Sequence, residues 1–344
     1  MPFVSTPTPT VEGQGGMLMT TAVPRERELE LSLRHPAVLA VSGGADSMVM
    51  ATALLDASPA QVVAIATFDH GTGRAATEAV GMVSDWARSR GVPVRVGHAS
   101  SLPRTEAAWR RARWSFLDSV SAEFAAPVAT AHTEDDQAET VLIRLLRQSG
   151  VRGLAALLAP GTVQRPMLSL SREAVGRFAR LNEVPFHDDP SNADRRYLRN
   201  RVRLELLPAL ERADPGFRSW LLRLGRSAAE WRHGVAAAVN AHWAPRLASA
   251  ESIWVPKDRI RSWPTEAEAA LFWPEVAGRI GVVLDRRGTA RLASFTTKRE
   301  GGLLIPLSGG AVVRSEREGW MLHRHGPGVG KMSAPTKRRA PRDP

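Results

Sequence analysis

The chain has no cysteine among its 344 residues. That absence excludes a disulfide framework, thiolate metal sites, iron–sulfur ligation and a cysteine nucleophile. With no disulfides to maintain, the cytosol is the expected compartment. Long apolar runs are also missing. No stretch approaches the ~20 apolar residues of a membrane span, so no membrane partner is expected. The start, MPFVSTPTPTVEGQGG, has no basic segment followed by an apolar block and does not read as a secretory signal. No repeat of solenoid period is present.

Positive charge is abundant. The formal net charge is +11. Part of the excess lies in the Pro-rich stretch KMSAPTKRRAPRDP, from Lys331 to Pro344. The rest is arginine-heavy and falls within segments that read as folded. Arginine suits phosphate because its planar fork donates two parallel hydrogen bonds. A polyanionic partner such as nucleic acid fits this charge, and so does a merely solubilising surface.

Hydrophobic periodicity alternates between short apolar runs and amphipathic segments. AVLAV (37–41), QVVAIATF (from Gln61), VPVRVG (from Val92) and PVATAH (ending at His132) read as strands. SMVMATALLDA, TEAVGMVSDWARSR, TEAAWRRARWSFLDSVSAEF and TEDDQAETVLIRLLRQSG read as the helices between and after them. Four such alternations predict an α/β fold: a parallel sheet with helices on both faces. Ligands bind at the carboxyl ends of such strands. There the sequence places Ser42-Gly43-Gly44, Asp69-His70-Gly71, Gly97-His98 and Ala131-His132.

After Gly153 the pattern loosens. HDDPSNADRRYLRNRVRLELLPALERAD reads as a polar loop that becomes a basic helix. A helical stretch is expected from Pro215 to about Leu247, and a small α+β module from Trp254 to His323. The expected partition is a disordered leader at 1–30, a catalytic domain at 31–212 and a helical linker at 213–248. A small C-terminal domain at 249–325 and a basic disordered tail at 326–344 complete it.

Between the first strand and its helix stands SGGADS. Glycine tolerates positive φ and lets backbone N–H groups approach a ligand closely. The helix start adds unsatisfied N–H donors and a partial positive charge. Together they suit an anion. Neither GxxxxGK[ST] nor GxGxxG is present, which excludes a Walker loop and a dinucleotide turn. An ordinary turn with Asp46 or Ser47 as N-cap is the plainer alternative. Five fixed residues in S-G-G-x-D-S match by chance in on the order of one chain in a few thousand.

SGGADS resembles the pyrophosphate-binding loop of the PP-loop ATPases, which cleave ATP between the α and β phosphates and adenylate a carbonyl-type oxygen. Within that superfamily the absent cysteines argue against the tRNA thiolases. Later segments resemble the tRNA(Ile)-lysidine synthetase family in order and spacing. They are FDHGTGRAATEA, EAAWRRARWSFL, ATAHTEDDQAETVLIRLLRQSGVRGL, RPML and DDPSNADRRYLRNRVRLELLPAL, and the likeness runs from about Val38 to Leu210. Thr133 stands where the family often has a second histidine. Trp109 and Trp114 replace the usual alanine and tyrosine beside Arg110 and Arg113.

The resemblance implies ATP and Mg2+, L-lysine and a CAU-anticodon tRNA(Ile) as cofactors and partners. It implies adenylation of the wobble cytidine at its C2 oxygen and displacement of AMP by the lysine amine. Ser42, Gly43, Gly44, Ala45, Asp46, Ser47, Asp69 and His132 would hold the nucleotide. Asp46, Asp136, Arg110 and Arg113 would be catalytic, with Asp46 and Asp136 as magnesium ligands and Glu139 a weaker candidate. Arg195, Arg199, Asn200, Arg201 and Arg203 would contact RNA phosphates, unless the arginines instead pair with Asp188, Asp189 and Asp194. The alternatives are a PP-loop synthetase acting on a small molecule and a non-catalytic RNA-binding relative. The oligomeric state is left open, with a homodimer as one option.

Overall fold

The computed structural model describes residues 29–71, 73–99, 105–188, 193–258, 264–297, 302 and 304–324. The leader and tail expected at the two ends lie outside these residues, apart from 29–30. The chain divides into two compact units. The first comprises residues 1–135 and 162–194, the second residues 136–161 and 195–344. Residues 136–161 and 195–212 thus group with the C-terminal part.

The first unit is built on four parallel strands: β1 (Ala37–Ala40), β2 (Val62–Asp69), β3 (Val94–His98) and β4 (Val128–Thr130). Their order is β3-β2-β1-β4. Alternation along β1 explains why the sheet is covered on both sides. Ala37, Leu39 and Val41 enter one apolar cluster with residues of α1 (Ala45–Ala57), α2 (Arg74–Ser89) and α6 (Arg172–Leu181). Val38 enters another with Leu117 and Val120 of α3 (Glu106–Glu123). Each fully buried Leu or Val contributes about 1.5–3 kcal/mol, so a strand buried on both faces must be apolar throughout.

The strand order fixes where a ligand can sit. From β1 the chain steps outward to β2 and β3, then crosses to the opposite side of β1 to form β4. The loops after β1 and β4 therefore diverge, opening a crevice at the carboxyl edge between these neighbours. Beyond β4 the sheet gains one more rung. Gln164 N–H donates to Val128 O at 2.8 Å, and Gln164 O accepts from Thr130 N–H at 3.0 Å, in parallel sense. Arg165 follows directly at that same edge.

The second unit takes in most of α4 (Glu134–Leu146), whose first residues belong to the first unit, and the short α5 (Val151–Leu154). A helical run follows at 198–213, with α7 (Leu198–Arg201) and α8 (Leu207–Ala213) joined by a π-helical turn. The long α9 (Phe217–His242) ends earlier than its periodicity predicts. The chain then forms β5 (Arg246–Ser249) and β6 (Ser252–Pro256). After α10 (Glu266–Gly278) and α11 (Arg286–Thr297) come β7 (Leu304–Pro306), β8 (Val312–Ser315) and β9 (Gly319–His323). The strands make an antiparallel sheet in the order β5-β6-β9-β8-β7. Its core holds Trp243, Trp273 and Trp320, with ring centroids 5.2–6.2 Å apart. Trp273 Nε1 donates to Thr296 Oγ1, which satisfies one indole in that apolar setting. Among the described residues no helix is long and apolar enough to cross a membrane.

Candidate active site

The loop after β1 is held by its own side chains. Ser47 Oγ donates to Gly44 O at 2.9 Å and accepts from Ser42 N–H at 3.1 Å. It also lies 3.2 Å from Ser42 Oγ. A hydroxyl has one proton and two lone pairs. With its proton on Gly44 O, buried Ser47 is saturated, and Ser42 is the donor in that contact. Ser47 thus shapes the loop, and exposed Ser42 is the hydroxyl that can turn to a ligand. The N-cap of α1 is Gly44, with no side-chain cap bond, not Asp46 or Ser47. Asp46 sits half-buried in the first turn.

The two glycines are there for different reasons. Gly43 has φ +88°, and a Cβ on it would lie 3.0 Å from Ala79 Cβ and 3.2 Å from Ala79 O. Its carbonyl accepts from His187 N–H at 2.9 Å, pinning the loop from a distant segment. Gly44 has φ −74°, which any residue adopts. A Cβ there would meet only Ser42 Oγ, at 3.6 Å. Its bareness is not required by packing, and it leaves backbone open beside the helix amides of α1. That is a cradle a side chain would fill.

Two other expected nucleotide residues are committed locally. Buried Asp69 accepts from Gly71 N–H at 2.8 Å through Oδ1 and from Thr77 Oγ1 at 2.9 Å through Oδ2. It holds the β2–α2 turn. His132 Nδ1 lies 2.9 Å from Thr130 Oγ1 at the end of β4. Thr133, in the place of a second histidine, is fully buried. Asp135 accepts from Arg172 N–H at 2.7 Å and so tethers the start of α6.

A group of three arginines gathers at the same edge of the first unit. Arg110 and Arg113 stand in the first two turns of α3, whose start is capped by Thr105. Arg113 lies over the Trp114 ring at 6.0 Å, and its Nε is buried without a hydrogen-bond partner. Arg165 donates from Nη1 to Val163 O at 3.3 Å, and its Nε is likewise buried and unpartnered. Burial first, and then the nearby Arg110 charge, lowers the pKa of both below the usual arginine range. No carboxylate among the described residues pairs with any of the three. Arginine does not shed its proton, so such a group calls for an anion. Arg165 belongs to RPML, a stretch whose resemblance was visible but which carried no assigned role. His187, whose backbone N–H meets Gly43 and whose side chain lies 3.8 Å from Glu78, left no sequence signal.

In the second unit the acidic face of α4 meets the basic helix. Asp136 Oδ1 accepts from Arg199 Nη2 at 3.1 Å and Arg203 Nη2 at 3.2 Å. Glu139 accepts from Arg199 Nε at 3.0 Å and Arg203 Nε at 2.7 Å. Both carboxylates are buried. Arg199 and Arg203, expected to contact RNA phosphates, are thus both engaged by Asp136 and Glu139; Asp189, an alternative partner in the sequence, lies outside the described residues. Arg195 is exposed and pairs with Glu205 at 3.1 Å. Arg201 is exposed, and Asn200 half-buried. The network also bears on magnesium. Both guanidinium donors fall on Oδ1 of Asp136. No group of three or more His, Asp or Glu among the described residues could hold a metal ion.

The family model described as "PP-loop domain" matches residues 24–210. A tRNA(Ile)-lysidine synthase of Salinispora tropica is 39% identical over 201 residues, covering 55% of this chain and 60% of that protein. The synthase of the same name from Streptomyces coelicolor is 40% identical over 189 residues, covering 51% of this chain and 53% of that protein. That of Exiguobacterium sibiricum is 37% identical over 201 residues, covering 55% and 47%. The matched part thus spans about half to three-fifths of these relatives' lengths. With the glycine loop at the divergence of β1 and β4, and a family match over more than half of its length, the chain belongs to the PP-loop domain family.

Proposed function

We propose that this chain is a cytoplasmic tRNA(Ile)-lysidine synthetase, which uses ATP to join L-lysine to C2 of the wobble cytidine in a CAU-anticodon tRNA(Ile). The observation that carries this reading is the likeness, at 33–40% identity, to a series of proteins bearing that name. The cytidine C2 oxygen attacks the α-phosphate, the bond to the β-phosphate breaks and pyrophosphate leaves. The lysine ε-amine then attacks C2, loses a proton and expels AMP.

In this chemistry negative charge moves among phosphate oxygens, so electrostatic stabilisation and positioning dominate. The amino end of α1, the bare Gly44 backbone and the Ser42 hydroxyl would take the pyrophosphate. Arg110, Arg113 and Arg165 would neutralise phosphate charge, and the cost of burying Arg113 and Arg165 unpaired would be met when that anion arrives. Asp46, in the first turn of α1, would bind the nucleotide away from its phosphates, since like charges repel. Magnesium enters as the metal complex of ATP, part of the substrate.

The test uses ATP labelled at the α-phosphate, the tRNA(Ile) transcript and no lysine. Label should become attached to the RNA and be released as AMP when lysine is added. Label that never joins the RNA, with folded protein, contradicts the adenylation step.

A further inference from the structure

Tryptophan gains much from burial, and Trp243, Trp273 and Trp320 lie at the heart of the C-terminal core. Among the described tryptophans two are exposed, and both stand on α9: Trp220 at 42% and Trp231 at 39%. Eleven residues separate them, about three helical turns. Their positions therefore lie within ~20° of one direction, ~16 Å apart along the axis. Two indoles left in water on one face of one helix demand a reason.

The rest of the helix sorts by face. Leu221, Leu222, Gly225, Ala228 and Ala229 are buried. Arg223, Arg226, Ser227 and Glu230 are exposed. Phe217 braces Trp220, with ring centroids 5.4 Å apart and planes tilted by 38°. One turn beyond Trp231 comes Gly234, where a Cβ would meet nothing within 4 Å, so the helix surface there is open. A protein helix or a second copy of this chain would dock on a continuous apolar stripe at spacings of three and four. Between the indoles the outward positions are instead two arginines, a serine and a glutamate. No carboxylate among the described residues pairs with Arg223 or Arg226. Separate aromatic platforms with free guanidinium groups between them fit single-stranded nucleic acid, whose bases stack and whose phosphates need cations.

We propose that the outward face of α9 is an RNA-contact surface, on which Trp220 and Trp231 stack with unpaired bases of a bound tRNA while Arg223 and Arg226 meet its phosphates. The proposal rests on the reading of the chain as a tRNA-acting enzyme. Every base has a π-face, so stacking here lends affinity and little base selectivity. The arginines add the salt-dependent part of that affinity. The bracing by Phe217 holds one platform ready before RNA arrives, which lowers the cost of ordering it on binding.

The test measures binding of the CAU-anticodon tRNA(Ile) transcript against salt, for the full chain and for variants of this face. Thermal melting checks the fold, which changes at exposed positions should leave intact. Losing a stacked base removes no charge. We therefore expect Trp231→Ala to weaken binding about tenfold at every salt concentration, with the slope of log affinity against log salt unchanged. Trp231→Phe should recover most of the affinity. Arg223→Gln and Arg226→Gln should each flatten the slope by ~0.7–0.9. A blunt RNA duplex, which offers no free base faces along its length, should bind Trp231→Ala as it binds wild type. Trp220→Ala should behave like Trp231→Ala; if it melts early for want of its contact with Phe217, Trp231→Ala decides alone. Unchanged tRNA affinity in folded Trp231→Ala would overturn the proposal. So would a loss seen only together with dissociation of a dimer in sedimentation, which would make the face a contact between copies. Failure of the enzymatic reading looks different: wild-type protein would bind tRNA, with these effects of substitution, yet attach no lysine.

Discussion

Gly43 and Gly44 stand side by side in the loop, and the structure separates their roles. Gly43 is required by backbone and packing, since its φ is positive and Ala79 crowds the Cβ position. Gly43→Ala should therefore lower stability by about 1–3 kcal/mol, read by denaturant unfolding. Gly44→Ala should melt as wild type and instead lose ATP turnover, because only the ligand-facing space is filled. If the two variants behaved alike in melting, this division would be wrong. Arg165 makes a second single-residue case. Its buried Nε has no partner, so Arg165→Gln should leave melting unchanged or raise it while cutting AMP formation tenfold or more. A loss of stability matching the loss of activity would make it a structural arginine. The sequence showed SGGADS clearly because the motif is contiguous. It could not show the work of Ser47, whose three partners depend on how the turn closes.

At the scale of elements, α4 and the helical run at 198–213 are joined by ion pairs across about sixty residues of sequence. Neither partner was legible from the other. Periodicity gave a helix with acids at its start and a second helix crowded with arginines. Only the folded chain shows that Asp136 and Glu139 face Arg199 and Arg203. Breaking such a pair from one side strands the other charge. Glu139→Ala should cost about 3 kcal/mol or more in denaturant unfolding. Exposed Arg201, on the same helix, should give Arg201→Ala within ~0.5 kcal/mol of wild type. Equal effects at the two positions would contradict the network. Strands β1 to β4 were readable because burial on both faces makes them near-continuous apolar runs. The strands β5 and β6 were not. They are short, and β5 is exposed throughout, so no alternation distinguishes it from the helix that precedes it.

For the whole molecule, the order β3-β2-β1-β4 matters more than any one strand. It puts the glycine loop and the end of β4 on either side of the topological divergence, and the rung at Gln164 brings Arg165 to that edge. The sequence supplied the strands and their parallel sense. It did not supply the order, which depends on long-range packing that a local pattern does not encode. The central claim is a chemical one, and one measurement reaches it. Labelled lysine, MgATP and the CAU-anticodon tRNA(Ile) transcript are incubated with the folded protein, and label bound to RNA is counted. The account predicts lysine incorporation that requires ATP, matches AMP release one for one, and is lost in Asp46→Ala while tRNA binding persists. Folded protein that binds the tRNA and MgATP but attaches no lysine would contradict it.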